Sequence, residues 1–90
     1  MSAVKRHKQF LKDFAILSLS DNHFAKLVQY MALLMQEAPL PPEARDHSLE
    51  GEWGQYREFH IGGDMLVIYK IENKTLYLAR IGTHSQLFRS

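Results

Sequence analysis

Two turn signals in the second half of this chain leave it few ways to fold. Gly62-Gly63 can adopt positive φ at low steric cost, and Glu72-Asn73-Lys74 is built from turn-forming residues. They separate three short runs rich in β-branched and aromatic side chains, residues 56–61, 65–71 and 75–81. Three strands joined by two tight reversals make a meander. Gly82 ends the third strand, and residues 83–88 have room for no more than one turn of helix. His60, Asp64, Arg80 and His84 fall at or near the strand ends, with His47 just upstream. Imidazoles, a carboxylate and a guanidinium on one rigid sheet suit phosphate chemistry.

The first half reads as helical. Phe10, Phe14 and Leu17 recur at i, i+4 and i+7 within residues 5–17, with Lys8, Lys12 and Asp13 on the opposite face. Ser18-Leu19-Ser20-Asp21-Asn22 is a cluster of capping and turn residues. A second helix is expected from about 22 to 37, its core stripe being Phe24, Leu27, Val28, Met31, Leu34 and Met35. Pro39 and Pro41-Pro42 stop it, because a proline ring blocks the helical ladder. Residues 2–5 fit a short edge strand. Residues 39–54 form a long connection carrying Leu49 and Trp53, apolar anchors that favour an ordered functional loop over a linker. The expected class is α+β: two N-terminal helices packed on a small antiparallel sheet, a three-stranded meander with a possible N-terminal edge strand.

Ninety residues make one expected domain, 1–90, burying roughly 60% of the unfolded chain's surface. The chain has no cysteine, so disulfides and thiolate metal sites are excluded. No apolar run approaches the ~20 residues of a membrane span, and no signal peptide is visible, so a cytoplasmic protein is expected. The net charge of +1 argues against nucleic-acid binding by bulk electrostatics. Its distribution is uneven: residues 1–20 carry +3, residues 21–52 carry −4 and residues 53–90 carry +2. If the two basic ends meet in the fold, they create a local positive face.

Strand alternation places Glu58 and His60 on one face of the first meander strand, and Phe59 and Ile61 on the other. With Ala79 and Ile81 also under the helices, Arg80 is expected to share the open face with His60. Leu76 and Leu78 then lie on that open face and need a cover. Lys70 can pair with Glu72 or touch phosphate, and the residues leave both open. His7, at a basic helix start, and His23, near a helix cap, read as structural. Trp53 and Tyr56 read as packing residues, and Arg57 as structural or peripheral. Three histidines and Asp64 raise the question of a metal hydrolase, but no local ligand spacing supports one, and no metal or cofactor is expected.

The segments Asp46-His47-x-Leu49-x-Gly51-x-Trp53, Tyr56-Arg57-Glu58-x-His60, Asp64, Tyr69-Lys70 and Arg80-x-Gly82-Thr83-His84-x-x-Leu87-Phe88 resemble the YafQ-type toxins of the RelE/ParE superfamily. The resemblance covers essentially the whole chain and implies a RelE-like fold. It implies a ribosome-dependent mRNA endoribonuclease paired with a DinJ-like antitoxin in a hetero-oligomer, with no membrane association. His47, His60, Asp64 and His84 fall on the catalytic positions of that family. Arg80, Phe88, Glu58 and Lys70 are expected to engage the RNA, although the family often has aspartate where Glu58 stands. Relatives commonly carry proline in the Gly62-Gly63 turn, which implies a wider loop that lets Asp64 face the site.

These residue types match that chemistry. RNA cleavage by its own 2′-OH requires a base for that proton, stabilisation of the phosphorane-like charge, and an acid for the leaving 5′-oxygen. Histidine can fill either proton-transfer role near neutral pH. Arginine offers a planar fork to phosphate oxygens, aspartate can orient an imidazole, and Phe88 can stack on an unpaired base. Two other readings remain at this point: a superfamily member that acts by binding, as the ParE-type gyrase poisons do, and a non-toxic interaction domain on the same fold.

Overall fold

A computed structural model describes residues 3–88. The order is β1 (Ala3–Arg6), α1 (Lys8–Ile16), α2 (Asp21–Met35), β2 (His47–Ser48), β3 (Arg57–Gly62), β4 (Met65–Glu72), β5 (Thr75–Thr83) and α3 (His84–Leu87). Tight 3-10 turns at Pro42–Ala44 and Gly51–Trp53 brace the long connection. The strands form one mixed sheet in the order β1-β5-β4-β3-β2, with β1 parallel to β5 and the other neighbours antiparallel. The N-terminal edge strand is present, ending at Arg6; Ser2, where it was expected to begin, lies outside the described residues. Because β1 lies beside β5, the two basic ends of the chain do meet.

The helices cover one face of the sheet. Phe10, Leu27, Tyr30 and Leu34 pack with Ala44, Phe59, Ile61, Val67, Tyr69, Leu76, Leu78 and Ile81. Fully burying one such large apolar side chain contributes roughly 1.5–3 kcal/mol. Ser20 caps α2 by accepting a hydrogen bond from the His23 N–H at 3.1 Å. The expected α2 stripe is displaced around the helix: Tyr30 is buried, while Phe24 and Val28 are 50% and 51% exposed. The sheet is narrow and α2 meets it mainly at β3, so a broad apolar face is only partly covered. Phe14 on α1 is likewise partly exposed.

Three expectations about the sheet need correction. The two-residue turn is Gly63-Asp64, one position later than expected and no wider, with an extra residue bulged into β3 between His60 and Gly62. A second bulge breaks the alternation of β5: Ile68 pairs with Arg80 and Tyr69 with Leu78, so Ala79 is the extra residue. Leu76 and Leu78 therefore lie in the core under the helices, not on the open face. Ala79 turns to the other face, where it packs with Leu66, Ile68 and Leu87 beneath Leu49, Trp53 and Tyr56.

Past the bulge Arg80 pairs with Ile68, itself in register with Glu58, so it keeps the face expected for it with His60, but its guanidinium is bound by α1 instead of facing the site. Its Nε and Nη2 donate to the two oxygens of Asp13 at 2.7 and 3.0 Å. The Ile81 N–H adds a third bond to Asp13 at 3.2 Å, and Gln9 a fourth at 3.1 Å. Asp13 is thus buried on α1 rather than solvated. Burial alone raises the pKa of this carboxyl, but the bonds from Arg80, Gln9 and Ile81 outweigh it and hold the group below its ordinary 3.8.

A carboxyl with a depressed native pKa stabilises the fold fully above its unfolded value, and that contribution is lost as pH falls through the native one. Asp13→Asn is expected to lower unfolding free energy at pH 7 by about 2 kcal/mol. That is below the ~3–5 kcal/mol of a fully buried broken pair, because Arg80 stays partly hydrated. Denaturant unfolding across pH checks this: the gap between wild type and variant should shrink below about pH 4.

Candidate active site

On the face away from the helices, a row of rings crosses one end of the sheet. The His47 and His60 rings lie 6.4 Å apart, His60 and His84 6.0 Å, and His84 and Phe88 5.2 Å. Each is placed by a different element. His60 comes from β3. His47 comes from the two-residue β2, in register with Glu58. His84 is the first residue of α3, which a capping box fixes: Gln86 N–H donates to Thr83 Oγ1 at 3.3 Å, and Thr83 N–H to Gln86 Oε1 at 2.8 Å. Gly82 lets this turn fold back onto β5, since a Cβ there would lie 2.9 Å from Gln86 Oε1 and 3.1 Å from Leu87 Cδ2.

His47 is oriented from below. Arg45 takes left-handed backbone torsions (φ 47°), and its carbonyl accepts from His47 Nδ1 at 2.7 Å. That bond fixes the neutral tautomer, leaving Nε2 as the free nitrogen. Next to it, Asp46 accepts from Tyr69 Oη at 2.7 Å and Arg57 Nε at 3.2 Å. Arg57 is therefore structural, and the pair pins β2 to the sheet.

Glu58 is the least expected member. It is 1% exposed, and its Oε2 lies 3.5 Å from the Nε2 of both His47 and His60. That oxygen is buried without a hydrogen bond among the described residues. Glu58 cannot reach an RNA strand directly; it faces the histidines from inside. His60 is 5% exposed, and burial lowers its pKa from 6.5. The Arg45 charge lowers it further and Glu58 opposes the shift. Asp64 and His84 are more open, with Asp64 Oδ1 3.6 Å from His84 Nδ1. The Ile61 bulge, rather than a wider loop, brings Asp64 to the site.

The expected RNA contacts separate in the structure. Phe88 stands beside His84, partly exposed. Arg80 is committed to Asp13 through Nε and Nη2. Lys70 stands apart, four residues along the strands, about 13 Å from the histidines. Its Nζ lies 5.3 Å from the ring centres of Tyr56 and Tyr77 and 3.5 Å from Glu72 Oε1. Sequence reasoning placed Asp46 and Tyr69 in the segments that carry the resemblance but gave them no role, and it missed Arg45. It also missed the capping box Thr83-His84-Ser85-Gln86, which is legible as a motif.

Comparison with known proteins agrees with this architecture. A family model described as the bacterial toxin of a type II toxin-antitoxin system, YafQ, matches residues 2–89. The mRNA interferase toxin YafQ of Escherichia coli K12 is 38% identical over 81 residues, covering 89% of this chain and 88% of that protein. A copper-bound mutant toxin from Helicobacter pylori superposes with a TM-score of 0.88 at 35% identity, over 98% of this chain and 100% of that one. YafQ in the E. coli DinJ-YafQ complex superposes with a TM-score of 0.80 at 36% identity, over 94% and 96%. Two helices on a mixed sheet, with histidines lined up on the opposite face, define a RelE-like toxin. The chain belongs to the YafQ family of type II toxins.

Copper in one relative raises the question of a metal here. Among the described residues no group of three histidine, aspartate or glutamate side chains is disposed to hold one ion. Also among them, no helix is long and apolar enough to cross a membrane.

The His60 environment is directly measurable. Its imidazole is expected to titrate below 6.5 in the free protein. Arg45→Ala should move the midpoint up and Glu58→Gln should move it down, as histidine side-chain NMR across pH will show.

Proposed function

We propose that this chain is an mRNA endoribonuclease that works on the ribosome, cuts by attack of the ribose 2′-OH without a metal in the active site, and is held inactive by a DinJ-like antitoxin. The observation that carries the reading is the carboxylate of Glu58, buried between two histidines whose rings continue to His84 and Phe88. A purely binding superfamily member has no use for a desolvated carboxylate facing imidazoles, which makes the gyrase-poison reading the poorer one.

In this mechanism His60 is the base. Its lowered pKa keeps it neutral near pH 7, ready to take the 2′-OH proton. The imidazolium that forms has its Nε2 3.5 Å from Glu58 Oε2, which stabilises the new charge. His84 is the acid for the leaving 5′-oxygen: it is half-exposed, and Asp64 beside Nδ1 leaves Nε2 directed to substrate. His47 shares Glu58 with His60 and, when protonated, opposes the charge growing on the phosphate. Phe88 stacks on a base beside the scissile bond. Arg80 can touch RNA only through the N–H groups of Nη1 and the second N–H of Nη2, which its bonds to Asp13 leave free, and its main role is to hold α1 on β5.

The DinJ-like partner fits the relatives, although Leu76 and Leu78 give no reason for it because they are buried. Exposed apolar surface lies instead on the helices, at Leu11, Phe14, Phe24 and Val28.

Induction of the wild-type chain alone is expected to arrest growth, and co-expression of its antitoxin to restore it. His60→Ala and His84→Ala should each slow mRNA cleavage by about 10²-fold or more, the scale of losing a general acid or base. His84→Ala, at an exposed position, should melt as wild type does; His60→Ala, which empties a buried space beside Glu58, should melt lower while staying folded at the assay temperature. His23→Ala should cut normally. Cleavage assays on programmed ribosomes check this, and equal loss in all three variants would place the chemistry elsewhere.

A further inference from the structure

A second cluster on the open face takes no part in the histidine chemistry. Lys70 holds its ammonium over two rings at once, Tyr56 on β3's side and Tyr77 on β5. Tyr77 is in register with Lys70 on one side and with Lys5 of β1 on the other. His7 closes the gap, its ring 5.8 Å from Tyr77 and 6.3 Å from Tyr56. The result is a transverse row from Tyr56, the residue before β3, across β4 and β5 to β1, in which aromatic and cationic side chains alternate: Tyr56, Lys70, Tyr77, Lys5. Neighbouring strands are ~4.8 Å apart, so the row is about 14 Å long.

We propose that this row is a second RNA-binding subsite, gripping nucleotides that flank the one cut at His60. Three observations favour that ligand. The chemistry alternates as a single strand does: flat rings for bases and ammonium groups for phosphates. The row lies on the same face as the histidines, and its Tyr56 packs with Leu49 and Trp53 on the apolar patch that holds Ile68 and Ala79. The basic N-terminal strand supplies one end of it, so local charge is positive although the whole chain carries only +1. Lys70 is 20% exposed and wedged between rings, so it is already ordered before a phosphate arrives; Glu72, at 3.5 Å, is the carboxylate a phosphate would displace.

The inference rests on the endoribonuclease reading, and binding separates the two. The probe is a single-stranded RNA of about 12 nucleotides, within the span such surfaces cover, 2′-O-methylated throughout so that it resists cutting. Its affinity is measured against wild type and variants over a salt series. Lys70→Gln should weaken binding several-fold and reduce the slope of log affinity against log salt by about 0.7, the share of one phosphate contact on a single strand. Lys70→Arg should restore both. Tyr77→Leu should weaken binding by about tenfold with the slope unchanged, as expected for a lost stack. If Tyr77→Leu does not fold, Lys5→Gln, exposed at the end of the row, gives the same slope test.

A wild type that binds this RNA but never cuts message fails the nuclease reading and leaves the row testable. Normal cutting with affinity and slope unchanged in Lys70→Gln and Lys5→Gln overturns the subsite alone. Loss of antitoxin binding with intact RNA binding in those variants also overturns it, assigning the row to the protein partner. Absence of RNA binding by wild type overturns it outright.

Discussion

One carboxylate ties the two halves of this molecule together. Asp13, on the first long helix, accepts two bonds from Arg80 and one from the Ile81 N–H, the backbone donor beside the bulge in β5. The bulge and the clamp depend on each other. Without the extra residue Ala79, Arg80 would fall on the helix face with Leu76 and Leu78, and Ile81 would leave the core. Without Asp13, the Ile81 donor would lose its partner in a region closed to water. From that junction follow the burial of Leu76 and Leu78 beneath the helices and the small apolar patch around Ala79 on the other side. Leu87, in the same patch, fastens the helix turn that carries His84.

The histidine row uses this rigidity. Its members come from a two-residue strand, a central strand and the start of a one-turn helix, so the spacing between rings is only as firm as the supports beneath each. His47 rests on the Arg45 carbonyl and on Asp46, itself held by Tyr69 and Arg57. His84 rests on the Thr83–Gln86 capping box. Between His47 and His60 lies Glu58, a buried charge that is costly unless something shares it. Two imidazoles on one desolvated carboxylate form an arrangement in which a proton gained by either is stabilised at once. Burial keeps His60 neutral until then.

Much of this was readable from the residues. Turn chemistry at Gly62-Gly63 and Asn73-Lys74 located the three meander strands, and the proline cluster after Glu37 ended the second helix where expected. What periodicity could not show was any place where periodicity breaks. A single bulged residue at Ala79 put Leu76 and Leu78 on the face opposite Arg80, and another at Ile61 decided how Asp64 reaches the site. The two-residue β2 is too short to leave a pattern. Asp13 looked like a solvent-facing acid because its partner is 67 positions away, a separation that no local rule sees. Phe24 and Val28 lay on a correct helical stripe, but the narrow sheet leaves them uncovered. The histidines were singled out by their place at strand ends and by resemblance; the inward-facing position of Glu58 emerged only from the packing.

The central claim is that the substrate's own 2′-OH attacks, with imidazoles moving the protons. It is tested most directly by placing one 2′-deoxy nucleotide at the cleavage site of a message on a programmed ribosome, then mapping the fragment ends. The account predicts that this substitution alone abolishes cutting while binding persists, and that the all-ribose message yields a 2′,3′-cyclic phosphate or 3′-phosphate upstream and a 5′-hydroxyl downstream. Efficient cutting of the 2′-deoxy message, or a 5′-phosphate on the downstream fragment, would contradict it.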